Sequence, residues 1–283
     1  MLTKTAPRTH YLELLEGRIA YDDTNTAGPL VLCVPGLGDM RASYRFLRPY
    51  LVAAGYRVVT MDMRGQGESS VGWSNNYSSA AVGDDVLALL HVLNAGPAIL
   101  VGNSYSGGAV VCAAGAEPDA VAGLILLDAF VHDTPRSLFM RLGMWAIVHL
   151  GANAWMPYYK SLFKSATPPD FDAYCAALKA NLRERGRYAA TAAMMHSSQE
   201  GAEILLKEVR APALIVMGSE DSDFPDPAGE AQFIAQKLVR AAWKDIQLIE
   251  GAGHYPHVEI PEQTQAVIVA FLRRLAEDDK HGA

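Results

Sequence analysis

The sequence predicts a doubly wound α/β domain built on a mostly parallel sheet and interrupted by an inserted helical cap. Short apolar runs rich in β-branched residues alternate with longer amphipathic stretches, the rhythm of strands covered on both faces by helices. Between Phe130 and Arg210 that rhythm stops. The text there turns helical and aromatic for about 80 residues, far beyond an ordinary connection. With 283 residues, 50% of them hydrophobic and 19% charged, the chain can bury a sizeable core.

Strands are expected at Leu30–Val34, Arg57–Met61, Ala98–Val101, Leu124–Leu127, Leu214–Met217 and Ile246–Ile249. Helices are expected at Arg41–Ala54, Asp84–Leu93, Ser106–Gly115, Ala228–Arg240 and Pro261–Ala276. Pro261 suits a first helical turn, where the amide it lacks would be unpaired anyway. The core domain is therefore read as residues 1–129 with 211–283, and the cap as 130–210. The cap carries Trp145, Trp155, Tyr158, Tyr159, Phe163, Tyr174 and Tyr188.

A net charge of −7 without a basic stripe argues against a nucleic-acid partner and against docking on anionic membranes. Leu138–Gly151 comes nearest to a membrane span and is too short. Met1–Ala20 mixes Lys4, Arg8, Glu13, Glu16 and Arg18 with apolar residues and lacks a signal-peptide core. Cys33, Cys112 and Cys175 are scattered without metal-ligand spacing and read as reduced, buried thiols. A soluble cytoplasmic protein is the expectation.

The chemistry starts at Gly102-Asn103-Ser104-Tyr105-Ser106-Gly107-Gly108, after the strand Ala98–Val101. A serine at the tip of a sharp strand-to-helix turn is pushed out at the sheet edge, and its neighbours two places away must be small. Gly102 and Ser106 meet that need. The following helix N-terminus aims free amides at the same point. Taken alone, the turn leaves open the lesser alternative of a glycine-rich connection that merely packs helix on strand. Two later segments tip the balance: Gly218-Ser219-Glu220-Asp221-Ser222-Asp223-Phe224-Pro225 follows one strand, and Gly251-Ala252-Gly253-His254-Tyr255 follows another. A serine hydroxyl needs an imidazole to take its proton, and the imidazole needs a carboxylate to fix its tautomer. The order Ser, Asp, His at strand C-termini is the one this architecture uses.

With these pieces, and with Val34-Pro35-Gly36-Leu37-Gly38-Asp39 and Asp62-Met63-Arg64-Gly65-Gln66-Gly67-Glu68-Ser69, the chain resembles the α/β-hydrolase superfamily over nearly its whole length. That resemblance implies Ser104 as nucleophile, Asp221 as orienting acid and His254 as general base. The backbone amides of Leu37 and Tyr105 would form the oxyanion hole. Two departures stand out: Pro35-Gly36 where many members carry His-Gly, and Ser106 where glycine is commoner. Ser106 is the alternative nucleophile if the strand runs two residues further, and Asp223 is the alternative acid.

Other polar residues read as structural. Asp62 and Arg64 are expected to hold their loop by pairing with backbone or each other, and Asp84 and Asp85 to start a helix. Glu220 is expected to be solvated, His257 to lie behind the site or be exposed, His196 to be packed or on the surface, and Asp278–His281 to be a frayed tail.

Relatives that open epoxides or displace halide use Asp at the elbow, so Ser104 points instead to acyl transfer. Cap residues Trp145, Trp155 and Tyr158 are candidates to line an apolar pocket for a small or medium ester. Neither metal nor organic cofactor is implied. A carboxylic-ester hydrolase is favoured. Asn103, immediately before the serine, suggests a C–C bond hydrolase of the ring-cleavage type as a second reading, although the Trp-rich pattern of that group is missing after His254. A ligand sensor that keeps the fold and triad is a third.

Overall fold

A computed structural model describes residues 8–133 and 138–282. Eight strands form one sheet in the order β1-β2-β4-β3-β5-β6-β7-β8. They are β1 (Thr9–Leu14), β2 (Gly17–Asp23), β3 (Leu30–Val34), β4 (Arg57–Met61), β5 (Ala98–Asn103), β6 (Val121–Leu127), β7 (Ala213–Gly218) and β8 (Lys244–Ile249). Every pairing from β3 onward is parallel, while β2 runs antiparallel to both β1 and β4. The hairpin β1–β2 was not expected. Its polar alternation, buried only at Leu12, Ile19, Ala20 and Asp22, marks a half-exposed sheet edge.

Central strands divide their side chains between two cores, as a period of two requires. Leu30, Leu32 and Val34 of β3 enter one core, while Val31 and Cys33 enter the other. Helices α1 (Leu47–Ala53), α2 (Ser79–Leu93) and α3 (Ser106–Ala116) precede the long insertion. Leu47 and Leu51 of α1 share the second core with the C-terminal part of the chain; α2 and α3 supply the first. All three cysteines are buried and free.

The expected helix from Arg41 is broken at Phe46 into a tight turn, Arg41–Arg45, and α1. The helix expected from Asp84 begins earlier, at Ser79, because the Ser78 hydroxyl accepts the Ala81 amide at 3.2 Å and caps it. Asp84 and Asp85 therefore do not start a helix. Asp84 is exposed, whereas Asp85 is buried and receives a forked pair of bonds from Arg64, at 2.7 and 2.8 Å. Asp62 likewise does not pair with Arg64; it bonds Arg41 and the backbone amides of Arg41 and Glu68.

Between β6 and β7 the described residues fold as α4 (Leu138–Leu150), α5 (Ala152–Ser161), α6 (Phe171–Leu182), α7 (Arg187–His196) and α8 (Glu200–Leu206). Their aromatics mostly pack together: Trp155, Tyr159, Phe171 and Tyr174 form a third core with Tyr255 and Val258. The chain closes with α9 (Pro227–Lys237), α10 (Pro256–Glu259) and α11 (Pro261–Gly282). The stretch read as a frayed tail is the last turns of α11, and Asp278 there accepts the Trp243 indole N–H at 2.7 Å.

Removing one partner of the Arg64–Asp85 pair leaves a buried charge uncompensated. Arg64→Ala should lower urea stability by about 3–5 kcal/mol, whereas Asp84→Ala should change it by less than about 0.5 kcal/mol.

Candidate active site

The C-terminal edge of the parallel sheet gathers the site. Strand β5 ends at Asn103, and Ser104 follows at φ +56°, a left-handed conformation rare for a residue with a side chain. Three backbone bonds hold it there. Its amide donates to the Leu127 carbonyl at 2.9 Å, and its carbonyl accepts from Gly107 at 2.9 Å and Phe130 at 3.0 Å. Gly102 is required by contact, since a Cβ there would lie 2.7 Å from the Ser106 carbonyl oxygen; a Cβ on Gly36 would sit tightly, 3.2 Å from Ser104 Cβ. Gly36 thus lets the loop after β3 approach the elbow.

Ser104 lines a cavity, and its hydroxyl makes no hydrogen bond among the described residues. Ser106 is fully buried. Its hydroxyl donates toward the Val34 carbonyl at 2.7 Å and the Asn103 carbonyl at 2.9 Å, and accepts the Asn103 amide at 2.9 Å. It latches the elbow to β3 and is absent from the cavity wall. The amides of Leu37 and Tyr105 find no acceptor among the described residues, and both residues line the cavity beside Ser104.

His254 follows β8 in a loop whose position is fixed from two sides. Its amide donates to Leu162 at the end of α5, and its carbonyl accepts the Asn103 side-chain amide at 3.3 Å. Its Nδ1 lies 2.6 Å from Asp221 Oδ2, so Nε2 is the nitrogen turned to the cavity. Asp223 lies on that other side, its Oδ2 3.9 Å from Nε2 and accepting the Tyr158 hydroxyl at 2.7 Å. The two candidate acids thus occupy opposite ends of one imidazole.

Charge is shared unevenly here. Burial alone would pull the His254 imidazolium down, but the Asp221 carboxylate and its hydrogen bond outweigh it and hold His254 above its ordinary value. Asp221 shows the converse. Burial favours its neutral form, yet the His254 charge and hydrogen bonds hold its carboxyl below the usual range. Burial pushes Asp223 up.

Among the described residues, Asp128, Asp221 and His254 form one cluster close enough to grip a metal, their donor atoms within 4.8 Å of one another. The 2.6 Å bond between His254 and Asp221 already engages two of those atoms. Ser104 and the His254 imidazole line the same cavity, so a hydroxyl and a ring nitrogen share one space.

The cavity holds about 140 Å³, near the ~150 Å³ that accommodates a benzene ring. Trp155 and Tyr158 line it with Phe130, Met144, Met194 and Met195. Trp145 does not: it is 59% exposed and stacked on His149, on the outer face of α4. His196 is exposed, as is Glu220. His257 is fully buried against Tyr44, with ring centroids 5.0 Å apart, and burial pushes it down to about 3.

Sequence reasoning passed over Asp39 and Asp128. Asp39 is buried under the insertion and accepts the hydroxyls of Tyr174 and Tyr159. Asp128 directly follows β6 at the same sheet edge as Ser104 and Asp221, a placement that the strand reading already contained.

A model of the alpha/beta hydrolase family matches residues 31–267. The chain belongs to that family. The 2-hydroxy-6-oxononadienedioate/2-hydroxy-6-oxononatrienedioate hydrolase of Burkholderia vietnamiensis is 26% identical, over 92% of each chain. Epoxide hydrolase B of Mycobacterium tuberculosis is 32% identical over 108 residues, 38% of this chain and 30% of that protein. In structure, a thermophilic esterase from Thermogutta terrifontis superposes with a TM-score of 0.74 at 24% identity, covering 95% of this chain and 99% of its own. The hydrolase fold and a hydrolase activity follow from the family.

Ser106→Ala strips partners from Val34 and Asn103 and should cost about 1–3 kcal/mol in urea denaturation. Ser104→Ala, whose hydroxyl makes no such bonds, should cost less than about 0.5 kcal/mol in the same measurement.

Proposed function

We propose that the chain is a serine hydrolase of small or medium apolar carboxylic esters, working through an acyl-enzyme on Ser104. The observation that carries this reading is the 2.6 Å Asp221–His254 bond, which leaves Nε2 facing the cavity that Ser104 also lines. Ser104 Oγ attacks the ester carbonyl carbon while its proton passes to His254 Nε2. Asp221 fixes the tautomer and stabilises the imidazolium. The Leu37 and Tyr105 amides receive the oxyanion. The imidazolium then protonates the departing alkoxide, and water, deprotonated by His254, releases the acid. The helical insertion acts as a cap that shapes the acyl pocket with Trp155, Tyr158 and the methionines.

The Burkholderia relative favours C–C bond cleavage as a second reading. Its named substrates are dioates, which carry two carboxylates. Here the described cavity wall carries neither lysine nor arginine to pair with two carboxylates, which supports an uncharged substrate instead. Ser104 at the elbow likewise sets this chain apart from the aspartate chemistry expected of epoxide-opening relatives.

A fluorophosphonate probe should label Ser104, and Ser104→Ala should abolish both labelling and hydrolysis of p-nitrophenyl butyrate. Labelling at Ser106, or turnover surviving Ser104→Ala, would reject the assignment. A vinylogous 1,5-diketone turned over with negligible ester hydrolysis would select the second reading. p-Nitrophenyl hemisuccinate, an anionic acyl analogue, should react about tenfold or more slowly than the butyrate.

His254 must be neutral to accept the proton, so kcat/KM rises with pH as His254 loses its charge. Because its pKa is raised, the acid limb should lie above the ordinary ~6.5. Asp221→Asn removes the attraction and leaves burial to act alone. The limb should then move to lower pH while the plateau falls about ten-thousandfold, both read from the pH–rate profile.

A further inference from the structure

Asp128 is a buried acid that the proposed reaction does not use. It follows β6 at φ +44° and is wholly buried. Its Oδ1 accepts the Gly218 amide at 2.7 Å, and its own amide donates to Val216 at 2.9 Å. Its Oδ2 receives no N–H or hydroxyl donor, although it is closed off from solvent. Carboxyl oxygens of Asp128 and Asp221 and a ring nitrogen of His254 all lie within 4.8 Å of one another, which sets the two carboxyl groups side by side.

Two facing carboxyl groups can share a hydrogen bond only if one of them carries a proton, and two buried like charges in contact are costly. The question is which keeps it. Asp221 has a donor on each oxygen, the Asp223 amide at 2.9 Å and the His254 imidazole at 2.6 Å. Asp128 has one amide and an orphaned oxygen. The ionised form therefore belongs to Asp221. Burial and the neighbouring Asp221 charge accordingly push the Asp128 carboxyl well above its ordinary value.

We propose that Asp128 is a neutral positioning residue whose carboxylic O–H donates to Asp221 and so fixes the carboxylate that orients His254. This rests on the Ser104–His254–Asp221 assignment above. A neutral donor braces Asp221 without adding a charge that would hold the imidazolium too firmly. The titratable groups facing the imidazole are Asp221 and Asp223 from the loop after β7, Asp128 from the end of β6, and the Tyr255 ring at 5.2 Å.

The sign of one titration tests this. Asparagine in place of Asp128 offers an N–H to Asp221 and an oxygen to the Gly218 amide, so it imitates the protonated acid. Alanine offers neither. The low-field proton resonance of the His254 Nδ1–H is followed against pH in wild type, Asp128→Asn and Asp128→Ala. Asp221→Asn is included to identify the signal. Asp128→Asn should titrate like wild type and retain kcat/KM within about threefold. Asp128→Ala leaves Asp221 more basic, so its titration should move to higher pH, with kcat/KM reduced about tenfold or more.

If Asp128 were ionised, both variants would remove a negative charge and both titrations would move to lower pH, which overturns the proposal. Titrations unmoved in both variants would overturn it as well, by showing a purely structural role. Should Asp128→Ala fail to fold, infrared difference spectra of wild type minus Asp128→Asn decide the matter. Loss of a protonated-carboxyl stretch at pH 8 supports the proposal, and loss of a carboxylate stretch refutes it. Neither spectroscopic readout needs a substrate. Absent fluorophosphonate labelling of Ser104 would therefore count against the hydrolase reading alone.

Discussion

Ser104 is held at φ +56°, and much of the surrounding structure serves to keep it there. A left-handed serine costs about 1–3 kcal/mol and persists only where its surroundings over-determine it. Its backbone is tied to Leu127 and Phe130, so β6 and its exit loop grip one side. Ser106 grips the other by bonding Val34 at the end of β3. The turn is thus clamped between the two strands that flank β5. The side chain is left standing off the C-terminal edge, where the loops after β7 and β8 also emerge. Asn103 closes the arrangement by bonding Leu127 and the His254 carbonyl with one amide group.

Around a single imidazole the fold packs three acids, and their different partners keep them from acting as one. Asp221 has donors on both oxygens and sits at Nδ1, so it is the acid best able to remain charged. Asp223 has Tyr158 and a position on the cavity side, where an ionised carboxylate would compete with Ser104 for the Nε2 proton. Burial works against that competition by favouring its neutral form. A site with one carboxylate held by donors on both oxygens and two that lack such support behaves as a single-charge site, which the proposed proton shuttle through His254 requires.

The features legible in the sequence were those whose signal is local. Ser104, Asp221 and His254 each stand within a few residues of an apolar strand, so strand and loop could be read together. The β1–β2 hairpin was illegible because a half-exposed edge strand mixes charges into its pattern. Asp85 was misread because Ser78, well before the expected start at Asp84, caps the helix and shifts the acid into its buried interior. Trp145 looked like pocket lining because composition does not reveal which face of α4 meets the core. Asp39 lay beyond reach altogether: its partners Tyr159 and Tyr174 are 120 and 135 residues away, and only the closed fold brings them together.

Those distant contacts give the helical insertion a part in the geometry below it. Trp155 packs on Gly38, Tyr159 and Tyr174 bond Asp39, and the Leu162 carbonyl holds the His254 amide. The loop that presents the Leu37 amide and the loop that presents His254 are therefore both anchored to α5 and α6. Burial pushes Asp39 up to about 6, opposed by its hydrogen bonds from the tyrosine hydroxyls and the Met40 amide. Since its folded value exceeds the unfolded one, its ionisation draws on stability as pH rises from about 4 to 6. Above that window the ionised carboxylate accepts both hydroxyls as charge-assisted bonds, stronger than neutral ones. His254 discharges at higher pH still. The pH range in which the imidazole can act as a base is thus one in which Asp39 is already ionised and holds the insertion to the Leu37 loop through its stronger bonds.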